Sequence, residues 1–521
     1  MHSQAYVKQL EDKVIQLEQE NKRLHESVEF LTRKLFGRSS EKTSMIFGQA
    51  NLFDEAETET DPKVPEPTLQ EIEGYRRKKF KGQRMELLKD LPHDKIICKL
   101  DPLDLNCPQC DTALVEVGEE FIRTEVEYIP AKVRVIDYYR QSYECRSCKN
   151  TDRPYFEKSP MPYPVVMHSM ASASSVAHVI YQKFVNALPL YRQEKDWENL
   201  GIRLGRATMS NWIMVAARDW LAPIVNLLHQ KLLQEKYIHA DETKIQVMNE
   251  EGRKNTTDSY MWVYGTYKDS KKPIRIFEYQ QTRNGRHPQE FLKGFKGYLH
   301  TDAYSGYNKV PEITRCLCWS HLRRYFVDAL PKDIKSPEAT LPGEGIRYCN
   351  KLFEIETELE LLSPDERKYK RLELELPVLE AFWSWVEKNI GECLPKGKLH
   401  DAMKYAVNQK EGLMAYLEDG NCSISNNLAE NSIRPFTVGR RNWLFSGSPK
   451  GADASAAAYS IIETAKANGL NPYNYLWFIF KTMPGVQFEE HPEFLEDFLP
   501  WSEDAIAFCK KAEGQVNAPG N

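Results

Sequence analysis

The spacing of hydrophobic residues differs between segments of the chain. In the first forty residues, hydrophobic residues recur at intervals of seven. In these heptads Leu10, Leu17, Leu24 and Leu31 occupy position d, and Asn21 stands among valines at position a. Leucine at d with β-branched residues at a favours a parallel two-stranded coiled coil, in which one Asn at a fixes the register. Residues 1–40 therefore predict a leucine zipper that forms a homo-oligomer. The alternative is a single amphipathic helix that packs on its own domain.

Residues 41–97 lose this periodicity, contain proline and are divided by charge, which predicts a linker. Positions 51–73 hold eight acids and one lysine, whereas positions 75–84 hold six bases and no acid. The basic block is either solvated or in contact with DNA phosphates.

Two Cys-x-x-Cys pairs, with 34 residues between them, lie in the next segment, residues 98–158. The four cysteines are Cys107, Cys110, Cys145 and Cys148. Thiolates in two tight turns can hold one tetrahedral Zn²⁺, so we predict a zinc finger with one structural ion. Two unrelated pairs of reduced cysteines are the alternative. Alternating residues at 121–128 and 133–139 predict two strands between the pairs.

Residues 159–225 show helical periodicity. A helix that ends near Leu200 and a second one that begins at Arg206 flank a glycine-containing turn, as in a helix-turn-helix. The second helix of that motif reads DNA, which makes Arg206 and Asn211, together with Thr208 and Ser210, candidate contacts. Any two short helices joined by glycine would give the same pattern, so DNA binding by this segment is a hypothesis.

From residue 226 to residue 450 the pattern predicts strands and helices. The predicted strands begin at residues 237, 259, 273, 297 and 313, and a helix precedes the fourth. Three sequential strands followed by alternating helix and strand is the order of a ribonuclease-H-like α/β core. The first and fourth strands are neighbours in that fold. Asp241 in the first strand and Asp302 at the exit of the fourth should therefore lie close together.

Two neighbouring carboxylates repel each other unless cations neutralise them. Mg²⁺ or Mn²⁺ accepts such oxygen ligands, and two ions about 3.5–4 Å apart can serve phosphodiester chemistry. A third carboxylate is predicted at Glu430, on a helix whose same face carries Asn427 and Arg434. We therefore predict a site for two metal ions that is formed by these three acids.

Basic residues are concentrated near the predicted core. The candidate DNA contacts are Arg323, Arg324, Arg434, Arg440 and Arg441. Trp443 offers a stacking surface beside Arg440 and Arg441. A tryptophan anchored in the core next to solvated arginines would give the same sequence pattern. A helical insertion at about 335–422 either shapes a DNA channel or serves as a packing platform, and residues 451–521 predict a C-terminal helical domain with an acidic tail.

Composition limits the class of protein. The 521 residues are 41% hydrophobic and 28% charged, and no apolar stretch approaches the length of a membrane helix. We expect a multidomain α+β protein of the cytoplasm, associated with the nucleoid and without a membrane partner. The net charge of −5 does not exclude DNA, because the acidic linker and tail need not touch it and bound metal adds positive charge at the carboxylates.

The sequence resembles the large transposases of bacterial insertion sequences of the sixty-six type, which are DDE transposases. The segments that carry the resemblance are HADET at 239–243, HTDAYSG at 300–306, WSHLRR at 319–324, NLAENSIRP at 427–435 and GRRNWLF at 439–445. The resemblance implies that Asp241, Asp302 and Glu430 are the DDE triad and that the four cysteines form the family's zinc finger. It also implies double-stranded DNA as the partner, as element ends and as target, and possible small accessory proteins encoded by the element.

The implied function is binding of the terminal inverted repeats, metal-dependent cleavage and strand transfer. Two other classes stay open: a ribonuclease-H-fold nuclease or resolvase without strand transfer, and a zinc-dependent DNA-binding regulator with an inert core. All three acids are present, which argues against the regulator. The sequence assigns no role to His321 or Cys98.

Overall fold

The computed structural model describes residues 133–144, 156–331 and 336–516, which all belong to one compact unit, Ile122–Val516. The predicted leucine zipper, the charged linker and the four zinc-finger cysteines lie outside the described residues. In the described part of the chain, no helix is long and apolar enough to cross a membrane.

The described part begins with a short antiparallel ribbon, β1 (Ser142–Glu144) and β2 (Phe156–Lys158). The strand predicted at 133–139 is wrong, because these residues have no strand assignment. Val135 is 82% exposed and Tyr139 is 89% exposed. The alternation of apolar residues in this segment therefore does not mark a buried sheet face.

Helices dominate the segment between β2 and residue 232, as predicted. They are α1 (Ala173–Phe184), α2 (Leu190–Asn199), α3 (Arg206–Ala216), a π-helical turn (Ala217–Leu221) and α4 (Ala222–Leu232). The apolar face of α3 is buried and consists of Met209, Trp212, Ile213 and Ala216, at the i, i+3, i+4, i+7 spacing of an amphipathic helix. Arg206, Thr208 and Asn211 are exposed on the same helix.

A six-stranded mixed sheet forms the centre of the unit. Its strands are β3 (Tyr237–Val247), β4 (Asp258–Thr266), β5 (Arg275–Gln280), β6 (Gly297–Thr301), β7 (Ile313–Leu317) and β8 (Phe445–Ser446). The strand order is β5-β4-β3-β6-β7, with β8 also paired to β3. The first three strands are antiparallel, whereas β6 and β7 run parallel to β3. The predicted pairing of the first strand with the fourth is therefore confirmed.

Two helices accompany the parallel half of the sheet, α5 (Arg286–Phe291) before β6 and α6 (Trp319–Asp328) after β7. A helical insertion follows α6. Its helices are α7 (Leu341–Glu358), α8 (Pro364–Leu374), α9 (Leu376–Ile390), α10 (Lys398–Asn408) and α11 (Lys410–Met414). Trp319 and Phe326 of α6 share a buried core with Phe382 and Trp385 of α9, which fits the packing-platform alternative.

Four helices complete the described unit: α12 (Asn427–Trp443), α13 (Pro449–Ala467), α14 (Pro472–Thr482) and α15 (Glu503–Val516). Helix α13 lies along the edge strand β5. There Ser460 Oγ accepts a hydrogen bond of 2.8 Å from the N–H of Phe277, and Thr464 Oγ1 accepts one of 3.0 Å from that of Arg275. These hydroxyls satisfy backbone donors that an uncovered sheet edge would expose.

Candidate active site

The register of two parallel strands brings Asp241 and Asp302 to one place in the sheet. His239 of β3 is paired with His300 of β6, so Asp241 and Asp302 follow at the same distance along each chain. Adjacent strands lie about 4.8 Å apart and residues two apart share a face. The two carboxylates therefore stand beside each other where β6 ends.

The environment of Asp241 is crowded with negative charge. Burial raises the pKa of its carboxyl well above the ordinary value, and repulsion by Glu242, Asp302 and Glu430 raises it further. One hydrogen bond, from the N–H of Glu242 to Asp241 Oδ1 at 2.9 Å, lowers the pKa of Asp241 and so opposes these effects. A divalent cation would relieve this repulsion, and the donors are the hard oxygens that Mg²⁺ or Mn²⁺ prefers.

Glu242 belongs to the same region, although the sequence analysis did not single it out. Its side chain is 1% exposed, and its carboxylate accepts hydrogen bonds from Arg283 Nε at 2.6 Å and from the Tyr307 hydroxyl at 2.6 Å. Arg283 also lies 3.4 Å from Asp302 Oδ2. This arginine therefore links the Glu242 and Asp302 carboxylates. The Asp-Glu dipeptide at 241–242 is the only sequence signal for this arrangement.

Glu430 lies in the first turn of α12. Asn426, the residue before that helix, is hydrogen-bonded to strand β3. Asn426 is the N-cap of this helix, but its side chain makes no capping bond. Its Nδ2 donates to the carbonyl of Ala240 at 2.8 Å, and its Oδ1 lies 3.0 Å from His239 Nδ1. Burial lowers the pKa of His239 to about 4, so its ring is neutral near pH 7.

Two basic residues of α6 face the Glu430 carboxylate. His321 Nδ1 lies 3.7 Å from Glu430 Oε1, and both atoms are buried without a hydrogen-bond partner among the described residues. Arg324 Nη2 lies 4.0 Å from Glu430 Oε2, on a side chain that is 63% exposed. An incoming polar ligand could therefore reach Glu430 from the side of α6.

The other predicted DNA contacts are in different environments. Arg323 is half-buried and donates to Asn350 Oδ1 of α7 at 2.7 Å. Arg440 donates to Thr243 Oγ1 of β3 at 3.3 Å, whereas Arg441 is exposed and Arg434 is half-buried. Trp443 packs edge-to-face on Phe184 at 6.2 Å, which fits the alternative of an anchored tryptophan.

The contacts of Asn426 give a testable prediction. Asn426→Ala leaves the Ala240 carbonyl and the His239 ring without their partner, and an unsatisfied buried polar group costs about 1–3 kcal/mol. We expect the free energy of unfolding in urea to fall by that amount. Asn431→Ala, an exposed change on the same helix, is the control and should have little effect. Equal stability of the two variants would show that Asn426 does not anchor α12.

Comparisons with known proteins found family matches along most of the chain. Residues 168–454 match the model of the transposase IS66 family, and residues 104–149 match the zinc-finger binding domain of transposase IS66. Residues 23–96 match a model described as transposase C of IS166 homeodomain, and residues 460–501 match the IS66 C-terminal element.

Relatives that match most of this chain occur in Sinorhizobium fredii. The uncharacterized protein y4hP is 26% identical over 91% of this chain and 87% of its own length. The uncharacterized protein y4jD is 28% identical over 92% of this chain and 94% of its own length. The matched domains indicate a transposase with DNA binding and a zinc-finger domain. Because the first family model covers more than half of the sequence, the chain belongs to the IS66 transposase family.

Proposed function

We propose that this chain cuts the ends of its insertion element and joins them to target DNA, with Asp241, Asp302 and Glu430 as the catalytic acids. The observation that supports this most is their convergence from β3, the exit of β6 and the first turn of α12. The charges of Asp302 and Glu430 both raise the pKa of Asp241, which places all three in one electrostatic environment.

We further propose that the sheet and its flanking helices form a ribonuclease-H-like core, which the sequence pattern predicted. The order β5-β4-β3-β6-β7 supports this, since three antiparallel strands are followed by two parallel ones on the other side of β3. In the proposed core the acids lie on the central strand, just after the end of its neighbour and on a helix that contacts the central strand.

Asp241 and Asp302 would hold two Mg²⁺ or Mn²⁺ ions, and Glu430 would complete the second binding position. Such ions, when bound, activate an attacking oxygen and stabilise a leaving oxygen in phosphodiester chemistry. Arg283 would keep Asp302 oriented through its contact at 3.4 Å. Arg324, exposed beside Glu430, would bind a DNA phosphate.

The proposed reaction has two phosphoryl transfers. A water oxygen first attacks the phosphorus at the element end, and the bond to the 3′ oxygen breaks, which leaves a 3′ hydroxyl on the element. That hydroxyl then loses its proton and attacks a target phosphodiester, and a target 3′ oxygen departs. Neither transfer needs a covalent protein–DNA intermediate. A nuclease of the same fold would perform only the first transfer, so joining of pre-cleaved element ends tests the proposal.

The helix pair α2–α3 is the proposed reader of the element ends. Six residues, 200–205, join the two helices, and α3 buries one face while it exposes Arg206 and Asn211. This turn is longer than the three to four residues typical of a helix-turn-helix. The exposed positions nevertheless lie at the N-terminal half of α3, where recognition helices contact base edges.

Replacing both exposed residues tests this assignment. Arg206→Ala combined with Asn211→Ala should weaken binding to an element-end duplex at least about tenfold, because each lost base or phosphate contact is worth about 1–3 kcal/mol. Lys510→Ala, an exposed charge change on α15, is the control and should bind as the unchanged protein does. Fluorescence anisotropy at fixed salt measures the difference. Unchanged affinity of the double variant would exclude α3 as the reader.

We also propose that Cys107, Cys110, Cys145 and Cys148 hold one structural Zn²⁺ and that residues 1–40 pair two chains. The zinc-finger match at 104–149 includes all four cysteines. Zinc content of the purified protein and its mass in solution test these two proposals separately.

A further inference from the structure

A second cluster of metal-binding side chains lies inside the core, apart from the three acids. It consists of His300 at the end of β6, Cys316 of β7 and Cys422 in the segment before α12. Each residue is about 1% exposed, and one ligand atom from each lies within 4.8 Å of the others. Three separate elements thus bring one imidazole and two thiols to a single buried point.

The backbone fixes the relative positions of these groups. His300 and Cys316 are register partners on adjacent parallel strands. The segment that carries Cys422 is bonded to His300, because the N–H of Ser423 donates a hydrogen bond to His300 Nε2 at 2.9 Å. The opposite ring nitrogen, Nδ1, is buried and makes no close hydrogen bond within the described residues, although the Ile238 carbonyl lies near it.

The chemistry of these donors selects a particular class of cation. Thiolates and imidazole prefer Zn²⁺ or another soft ion to Mg²⁺. In a tetrahedral zinc site with bonds of about 2.0–2.3 Å, the ligand atoms are about 3.5–3.8 Å apart, so a modest inward movement of the side chains would suffice. Two thiolates would neutralise a divalent ion, which lowers the cost of placing charge in a buried site.

We propose that His300, Cys316 and Cys422 form a binding site for one Zn²⁺ ion, distinct from both the zinc finger and the acidic site. Binding replaces the two thiol protons by metal–sulfur bonds and releases both protons to solvent, with no change of oxidation state. The imidazole would supply the third ligand through Nε2, and the Ser423 N–H would then lose its hydrogen bond to that atom. This assignment does not depend on the proposed transposase activity.

The position of the site gives it a structural consequence. His300 is two residues before Asp302, and Cys422 is eight residues before Glu430. A bound ion would therefore connect β6 and β7 to the segment that leads into α12. It would hold in place the two parts of the chain that carry two of the three acids.

Zinc stoichiometry of the full-length protein tests the site. After loading with Zn²⁺ under reducing conditions and desalting, the unchanged chain should retain one more equivalent than the Cys316→Ser or Cys422→Ser variant. Cys349→Ser is the matched control, since Cys349 is also a fully buried cysteine but lies on α7, outside the cluster. That variant should retain the full amount.

A spectroscopic titration covers the case in which the serine variants do not fold. Co²⁺ added to the unchanged chain should fill two sites with different thiolate charge-transfer intensities, one with two thiolates and one with four. The proposal is overturned if serine at position 316 or 422 leaves the zinc content unchanged, or if Co²⁺ fills the four-thiolate site alone.

Discussion

Asp241→Asn, Asp302→Asn or Glu430→Gln is expected to reduce strand transfer at least ~10³-fold, as loss of an essential catalytic group generally does. Each change removes a negatively charged oxygen ligand and keeps the size of the side chain. The three positions lie on β3, after β6 and on α12, whereas the proposed DNA-reading residues lie on a different helix, α3. Binding to element ends should therefore be unchanged.

Metal binding provides a second readout for these variants. Mn²⁺ titration followed by electron paramagnetic resonance should show weaker or fewer binding equivalents in each variant than in the unchanged chain. Glu290→Gln, an exposed acid on α5, is the control and should keep both Mn²⁺ binding and joining. Near-normal strand transfer by any of the three variants would remove that residue from the triad.

Arg371→Met is expected to lower the free energy of unfolding by about 3–5 kcal/mol, the usual cost of breaking a buried ion pair. Arg371 of α8 is 1% exposed and makes a bidentate contact with Glu356 at 2.6 and 2.7 Å. It also donates to the carbonyls of Tyr416, Asp419 and Cys422 at 2.9–3.1 Å. Its loss leaves a buried carboxylate and three carbonyls without their donor.

Glu375 is a second buried carboxyl that interacts with Arg371. Burial and repulsion by Glu356 raise its pKa to about 8, and attraction by Arg371 acts against that rise. Urea denaturation followed by tryptophan fluorescence measures the loss, since Trp319, Trp383 and Trp385 belong to the same core. Lys370→Met, an exposed change on α8, should alter stability little. An equally small loss for Arg371→Met would contradict the anchoring role.

The local pattern predicted much of the fold. The strand β3 begins at Tyr237, the position predicted from the sequence. The order of strands and helices also predicted the pairing of β3 with β6 and hence the approach of Asp241 to Asp302. The sequence also predicted a helix at Glu430, and that helix is α12 (Asn427–Trp443).

Contacts between distant segments could not be predicted in this way. The ion pair between Glu242 and Arg283 joins residues 41 positions apart, and Asn426 contacts Ala240 across 186 positions. Such pairs depend on the packing of side chains, which periodicity does not encode. The wrong strand at 133–139 has the opposite cause, since alternation alone does not tell whether a face is buried.

The most direct test of the account is the joining of pre-cleaved element ends to a target plasmid by the purified full-length protein. We expect joined products in which the 3′ end of the element is covalently linked to target DNA. They should form with Mg²⁺ or Mn²⁺, disappear with a chelator, and be absent with Glu430→Gln. Cleavage of intact ends without any joining of pre-cleaved ends, or joining that persists without a divalent metal, would contradict the proposed function.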